Sequence, residues 1–218
     1  MESLLLEHLR EEYRRGELDE THCDSNPIEQ FRAWMEQARS ARLKEPNAMT
    51  LATATGDGRP SARIVLLKEL TTHGFIFYTN YGSRKARDCD SNPNVALTFY
   101  WAELERQVRV EGTISKVSPE KSEAYFRVRP RGSRLGALAS DQSTIVESRE
   151  VLERKLKDLE LQYRETDDIP MPPHWGGYLV LPAAVEFWQG RANRLHDRLL
   201  YTKLPSREPE WSLVRLSP

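Results

Sequence analysis

Four short stretches of the 218-residue chain concentrate side chains able to hold anions or carry protons. In "NRLHDR", Arg194, His196 and Arg198 stand two apart, so on a β-strand, whose side chains alternate faces, all three point the same way. In "RPRGSR", Arg129, Arg131, Ser133 and Arg134 crowd a turn behind a helix carrying Tyr125, and guanidinium groups suit phosphate because each can pair two oxygens in one plane, the alternative being a solvated loop. In "NYGSRKARD", Ser83 is placed to cap a helix opened by Arg84 and Lys85. Unpaired N–H groups and a partial positive charge there favour a phosphate, the alternative being a solvated basic first turn. In "RIVLLK", Arg63 and Lys68 bracket four aliphatic residues and fall on opposite faces of a regular strand. They serve different ligands, are brought together by a bulge, or merely end a buried strand.

Composition restricts what these clusters can serve. Hydrophobic residues make up 39% and charged residues 30%, which suits one soluble globular domain with a real core. The net charge of −1 hides 32 basic residues, so anion affinity must be local, and bulk nucleic-acid binding is disfavoured. Cys23 and Cys89 form no CxxC, and "MESLLLEHLREEY" is too short in apolar residues for secretion or membrane insertion, so a cytosolic setting is expected. His8, His22, His73, His174 and His196 are scattered without ligand spacing, which argues against a metal. Neither a Walker lysine motif nor GxGxxG is present.

The elements that must position the clusters follow from periodicity. Leu5, Leu9 and Tyr13 predict a short amphipathic helix stopping at Gly16. A second helix starts at "SNPIEQF", with Asn26 as cap, Pro27 in the first turn and Glu29 completing a capping-box pattern. Ile28, Phe31, Trp34, Met35 and Ala38 form its apolar stripe. From residue 48 the period becomes that of strands. "AMTLATAT" and "SARIVLLK" flank the hairpin signal "GDGRP", and "GFIFYTN", "VALTFYW" and "RQVRVEGTISKV" follow with one short helix among them. An antiparallel sheet closing as a barrel is expected, and a doubly wound parallel fold is disfavoured. Ser118 and Pro119 open a helix that Pro130 ends, and another begins after Ser148 with Leu152, Leu156, Leu159 and Tyr163 on one face. "DDIPMPPHWGG" reads as a loop, and "YLVLPAAVEFWQG", "RLHDRLLYTK" and "EWSLVRL" as the last strands.

Taken in order, "HLREEY", "RIVLLK", "FYTN", "SRKA", "SNP", "ERQVRVEG", "YFRVRPRGSRLGA", "SDQS", "WGGY", "EFWQG", "NRLHDR" and "RLSP" resemble the pyridoxine (pyridoxamine) 5′-phosphate oxidase family over nearly the whole chain. The resemblance implies an α+β, mainly β, fold: a single FMN-binding split β-barrel with flanking helices over residues 1–218. It further implies a homodimer binding flavin at the subunit interface. It also implies oxidation of pyridoxamine or pyridoxine 5′-phosphate to pyridoxal 5′-phosphate, with O2 as acceptor and peroxide as product.

Carried over residue by residue, the resemblance assigns FMN to Arg63, Lys68, Tyr78, Thr79, Arg84, Lys85, Gln107, Gln142, Ser143, Trp188 and Arg198. It assigns the vitamin's phosphate to Lys68, Tyr125, Arg129 and Ser133, and its ring to Arg194 and His196, the candidate catalytic pair. Arg10 and Tyr13 belong to an N-terminal segment, residues 1–20, able to close over the site; the bland alternative is a surface helix. Arg198 would stabilise charge on a reduced flavin, while Arg194 and His196 orient the pyridine ring. Many relatives read His-Ser at Arg127 and Val128 and Gln at Arg134, departures that bear on affinity or product regulation. The rival reading is a non-catalytic flavin- or haem-binding split barrel, which leaves "RPRGS" and "NRLHDR" without a task.

Overall fold

The computed structural model describes residues 12–205 and 210–218. Arg10, Leu5 and Leu9 of the expected first helix lie outside them. Tyr13 and its neighbours up to Gly16 are not helical. The backbone N–H groups of Arg14 and Arg15 both donate to the Glu105 carboxylate at 2.8 Å, so the donors an α-turn needs are directed elsewhere.

The described residues form two compact units, one of residues 48–96 and 111–182, the other of residues 12–47, 97–110, 183–205 and 210–218. In the first, β1 (Ala48–Ala54) and β2 (Pro60–Leu66) make the expected hairpin, in register from Ala48 opposite Leu66 to Ala54 opposite Pro60. The turn uses Gly58 at φ +85°, a conformation costly for other residues. After β3 (Glu69–Leu70) and β4 (Phe75–Asn80) come α2 (Arg84–Ser91), α3 (Pro119–Arg127), α4 (Arg131–Ala139) and α5 (Arg149–Gln162). Met49, Leu51, Phe75, Phe77, Phe126 and Leu135 are essentially buried there.

In the second unit, α1 (Pro27–Ser40) is capped by the Asn26 side chain, which accepts from the Ile28 N–H. The expected capping box does not close. The Asn26 N–H goes to Asp24 instead, and Glu29 bonds Arg32. Phe31, Trp34, Phe99, Trp101, Phe187 and Tyr201 form an aromatic core with centroid spacings from 4.8 to 6.5 Å.

β5 (Asn94–Trp101), β6 (Arg106–Lys116) and β7 (Trp175–Gln189) contribute residues to both units. The strand order is β2-β1-β5-β6-β7-β4-β3, with β8 (Asp197–Lys203) on β7 and β9 (Trp211–Arg215) on β8. The pairs β1/β2, β3/β4, β4/β7, β7/β8 and β8/β9 are all antiparallel.

Three local expectations are corrected. "WGG" is not loop but the start of β7. A Cβ on Gly176 would lie 2.2 Å from the Tyr81 hydroxyl oxygen, and one on Gly177 would lie 2.7 Å from the Tyr78 ring, so the two glycines are strand residues that let rings pack against backbone. The "RPRGSR" turn is in fact the N-terminus of α4, with Pro130 as its N-cap. Gly132 and Gly136 disfavour a helix, but burial of Leu135 against Phe126, Ile169 and Trp175 outweighs them. Finally, "RIVLLK" is no buried strand: β2 ends at Leu66, Lys68 lies beyond it, and Ile64 is 66% exposed.

Candidate active site

A cavity of about 410 Å³ opens in the first unit, lined by Tyr78, Thr79, Asn80, Arg129, Ser133, Gln142 and Trp175 among others. Strand β4 supplies the first three, the start of α4 supplies Ser133, and the start of β7 supplies Trp175. Tyr78, Tyr125 and Trp175 form a stack of nearly parallel rings, with Tyr78 4.0 Å from Tyr125 and 5.4 Å from Trp175. Tyr125 therefore backs the cavity wall through Tyr78. Burial pushes the Tyr78 hydroxyl up to about 12, so it stays protonated at neutral pH.

Arg129 lies over the Trp175 ring at 4.7 Å, and its Nη1 is buried without a hydrogen-bond partner. An unpaired buried guanidinium nitrogen is costly and invites an anion. Burial lowers its pKa from the ordinary arginine value. The other two arginines of the cluster are already engaged. Arg134 donates to both Asp167 carboxylate oxygens, at 2.7 and 2.8 Å, and to the Asp167 carbonyl at 2.7 Å. Arg131 donates to the Tyr163 carbonyl at 2.8 Å. The loop after α5 thus brings acceptors to Arg131 and Arg134, while the two residues of "RPRGSR" that the resemblance assigns to phosphate, Arg129 and Ser133, line the cavity.

A second cationic cluster surrounds the start of α2. Ser83 is its N-cap, but the hydroxyl accepts from Lys85 Nζ at 3.2 Å and makes no capping bond. Lys85 Nζ also donates to Thr79 Oγ1 at 3.1 Å and to Gln142 Oε1 at 2.6 Å. The Arg84 N–H donates to Ser143 Oγ at 3.2 Å, with Ser143 in the left-handed region at φ 73°. Arg63 donates to Thr53 Oγ1 and Ser61 Oγ, both at 2.7 Å, and stands 3.8 Å from buried Asp88. Burial and the nearby Arg63 charge both lower the Lys85 pKa, a tension that a bound anion would relieve. Lys68 is exposed and lies outside both groups, although its N–H donates to the Ile76 carbonyl at 2.8 Å.

In the second unit, "NRLHDR" departs from the strand expected of it. Ala192–Arg194 is a 3-10 turn in which Asn193 and Arg194 have φ of 57° and 61°, and β8 begins only at Asp197. Two consecutive left-handed residues break the alternation, so the three basic groups do not share a strand face. Arg194 is exposed. Arg198, the one of the three on β8, donates to Glu186 Oε1 at 2.8 Å and Oε2 at 3.2 Å. Glu186 is buried and also accepts from Arg109 at 3.2 Å.

His196 sits in a ring cluster, 4.7 Å from Trp188 and 5.6 Å from Tyr13, while Tyr13 and Trp188 are 5.6 Å apart and nearly perpendicular. Its Nδ1 accepts the Arg191 N–H at 3.1 Å, so the neutral ring carries its proton on Nε2. Burial, aided by the Arg194 charge, lowers its pKa below the ordinary imidazole value of 6.5. Gln107 is half-buried near the start of β6, with Val108 and Val110 on the buried face. The sequence reading missed Asn80, Glu105, Glu186 and Arg191. Only Asn80 had a local signal, the turn-forming "NYG", where its Oδ1 accepts the Gly82 N–H at 2.7 Å.

Comparison with known proteins draws these parts together. Residues 35–163 match the pyridoxamine 5′-phosphate oxidase profile, and residues 175–218 match the pyridoxine 5′-phosphate oxidase C-terminal dimerisation region. A protein of Rubrobacter xylanophilus described as pyridoxine/pyridoxamine 5′-phosphate oxidase is 60% identical over 210 residues, covering 96% of this chain and 95% of its own. One of Salinibacter ruber with the same description is 56% identical over 98% of this chain and 99% of its own. Among solved structures, PhzG from Burkholderia lata 383, in complex with tetrahydrophenazine-1-carboxylic acid, superposes with a TM-score of 0.84 at 31% identity, covering 91% of this chain and 95% of its own. A pyridoxamine 5′-phosphate oxidase-related, FMN-binding protein of Nostoc punctiforme shares the fold, with a TM-score of 0.66 at 20% identity, covering 86% of this chain and 97% of its own. The fold is therefore the split β-barrel, and the chain belongs to the pyridoxamine 5′-phosphate oxidase family.

Proposed function

We propose that this chain is an FMN-dependent oxidase, a homodimer of single split-barrel domains, that converts pyridoxamine 5′-phosphate and pyridoxine 5′-phosphate to pyridoxal 5′-phosphate. With pyridoxine 5′-phosphate, O2 is consumed and H2O2 released; with the amine, water is also consumed and ammonia leaves. The observation that carries this reading is the buried, unpartnered Nη1 of Arg129 at a cavity that also presents Ser133. A phosphate monoester supplies the acceptor oxygens that this nitrogen lacks.

The residues around α2 fit the flavin's phosphate. Arg63, Arg84 and Lys85 supply charge, and Thr79, Ser83, Gln142 and Ser143 hold the backbone and ammonium in place. When bound, FMN supplies the acceptor for a hydride leaving the substrate's 4′ carbon. The protein's own contribution is binding and orientation. Arg129 and Ser133 hold the vitamin's phosphate; of the other two residues that the family pattern assigns to it, Tyr125 backs the cavity through Tyr78, and Lys68 is exposed and is not among the cavity's lining residues. His196, neutral and protonated on Nε2, is a donor toward the substrate, and Arg194 adds charge beside it. Because Nδ1 is committed to the Arg191 N–H, His196 is set up to position substrate and not to take a proton there. Glu186 holds Arg198 in place but is shared with Arg109, so Arg198 serves flavin as a cation fixed in position.

The test is an aerobic assay of both substrates for aldehyde and peroxide. Equimolar pyridoxal 5′-phosphate and H2O2 support the proposal. Tight flavin binding without either product leaves only the non-catalytic reading.

A further inference from the structure

Tyr13 owes its place in the ring cluster to contacts made by its neighbours. The N–H groups of Arg14 and Arg15 both donate to the same Glu105 oxygen, Oε2, each at 2.8 Å. Arg15 Nη1 donates to the Glu103 carbonyl at 2.8 Å, and Arg191 Nη1 to the Gly16 carbonyl at 3.2 Å. Glu105 also ties down the end of β7, its carbonyl accepting the Gly190 N–H at 2.7 Å and Gln189 Nε2 at 3.2 Å. Gly190 lies so close that a Cβ there would come within 2.7 Å of the Tyr13 ring and 3.1 Å of the Glu105 Cβ. Glu105 achieves this from a left-handed backbone, φ 53° and ψ 41°, which disfavours a glutamate. A strained, non-glycine residue whose side chain serves a distant segment points to a task beyond closing the short turn between β5 and β6.

We propose that Glu105 is a positioning residue for the oxidase reaction: its carboxylate pins the backbone at Arg14 and Arg15 and so holds the Tyr13 ring against His196 and Trp188. The proposal rests on the reading of Tyr13 and His196 as substrate contacts. The family pattern assigns Glu105 to neither substrate nor flavin. It acts by keeping one wall of the ring cluster in place, so that binding substrate does not have to order that wall first.

Glu105→Gly tests it, because glycine accepts the left-handed backbone, so the side chain is lost while the turn is kept. The expected result for the FMN-loaded enzyme is a KM for pyridoxamine 5′-phosphate raised about tenfold, with kcat changed less than twofold and FMN affinity unchanged. Glu105→Gln, which keeps one accepting oxygen, recovers part of the loss. Tyr13→Ala in the Glu105→Gly background adds little further rise in KM, since both changes remove the same wall. Amide exchange at Arg14 and Arg15 is read independently of turnover and accelerates in Glu105→Gly. Unchanged exchange, an unchanged KM, or a Tyr13→Ala effect fully additive with Glu105→Gly overturns the role of Glu105. Absence of turnover in the unaltered protein would instead overturn the oxidase reading, leaving the exchange measurement to judge the latch.

Discussion

Arg129 is the residue on which substrate binding should depend most visibly, and Arg129→Met isolates its part. Two opposing effects set the stability change. Methionine forfeits the stacking of the guanidinium on Trp175 at 4.7 Å, worth about 0.5 to 2 kcal/mol. It also removes the buried, unpartnered Nη1, whose desolvation costs about 1 to 3 kcal/mol. These nearly cancel, so the melting temperature should move by no more than a few degrees. Substrate has no such compensation. Losing a hydrogen bond between charged groups costs about 1.5 to 3 kcal/mol, or roughly 10- to 150-fold in kcat/KM. Steady-state kinetics on the FMN-saturated variant, with calorimetry for melting and for flavin affinity, provides the assay. Arg129→Lys should fall between, keeping charge without the planar fork. An Arg129→Met enzyme with kcat/KM within twofold of the original would refute the assignment of this cavity to the substrate's phosphate.

Lys85→Met should weaken FMN by roughly 10- to 150-fold in calorimetric titration, with a smaller loss of melting temperature because the hydroxyls of buried Thr79 and Ser83 lose a shared donor. Arg194→Leu and Arg198→Leu should fail differently. Exposed Arg194 leaves melting and the flavin spectrum unchanged but lowers kcat/KM about tenfold, whereas losing Arg198 strands half of the buried Glu186 pair and lowers the melting temperature measurably. Equal loss of stability in both would contradict this. The His196 pKa lies below 6.5, so acid activity should persist below that value and then fall as the ring protonates and gives up the Arg191 N–H. Since the folded state binds the proton less readily than the unfolded chain, stability should also decline as pH drops below 6.5 toward the folded pKa. His196→Gln should lack that limb in a pH profile of kcat/KM.

What the sequence made legible was local chemistry with a short reach. "GDGRP" between two alternating runs gave the β1/β2 hairpin, and Asn26-Pro27 gave the start of α1, because turn and cap preferences are set by the residues themselves. What it hid was chemistry completed from far along the chain. Nothing near Arg134 announces that Asp167 will occupy its guanidinium, and Gly176 and Gly177 look like loop residues until the Tyr81 and Tyr78 rings are in place. The spacing of Arg194, His196 and Arg198 misled for a related reason. A period of two has meaning only where backbone is extended, and the left-handed Asn193 and Arg194 postpone β8 to Asp197. Likewise the acidic Glu105 sits two residues before Gln107, which the resemblance assigns to flavin, with no motif to mark it, since its partners are backbone N–H groups that any sequence could supply.

If electrons pass from the vitamin to bound flavin, anaerobic mixing reveals it directly, without O2 or a peroxide assay. The FMN-loaded protein is mixed with pyridoxamine 5′-phosphate in the absence of O2 and its visible spectrum is followed. The oxidised-flavin absorbance band should be lost, with one equivalent of pyridoxal 5′-phosphate formed per flavin, and should return when air is admitted. A flavin band that persists while pyridoxamine 5′-phosphate is bound would contradict it.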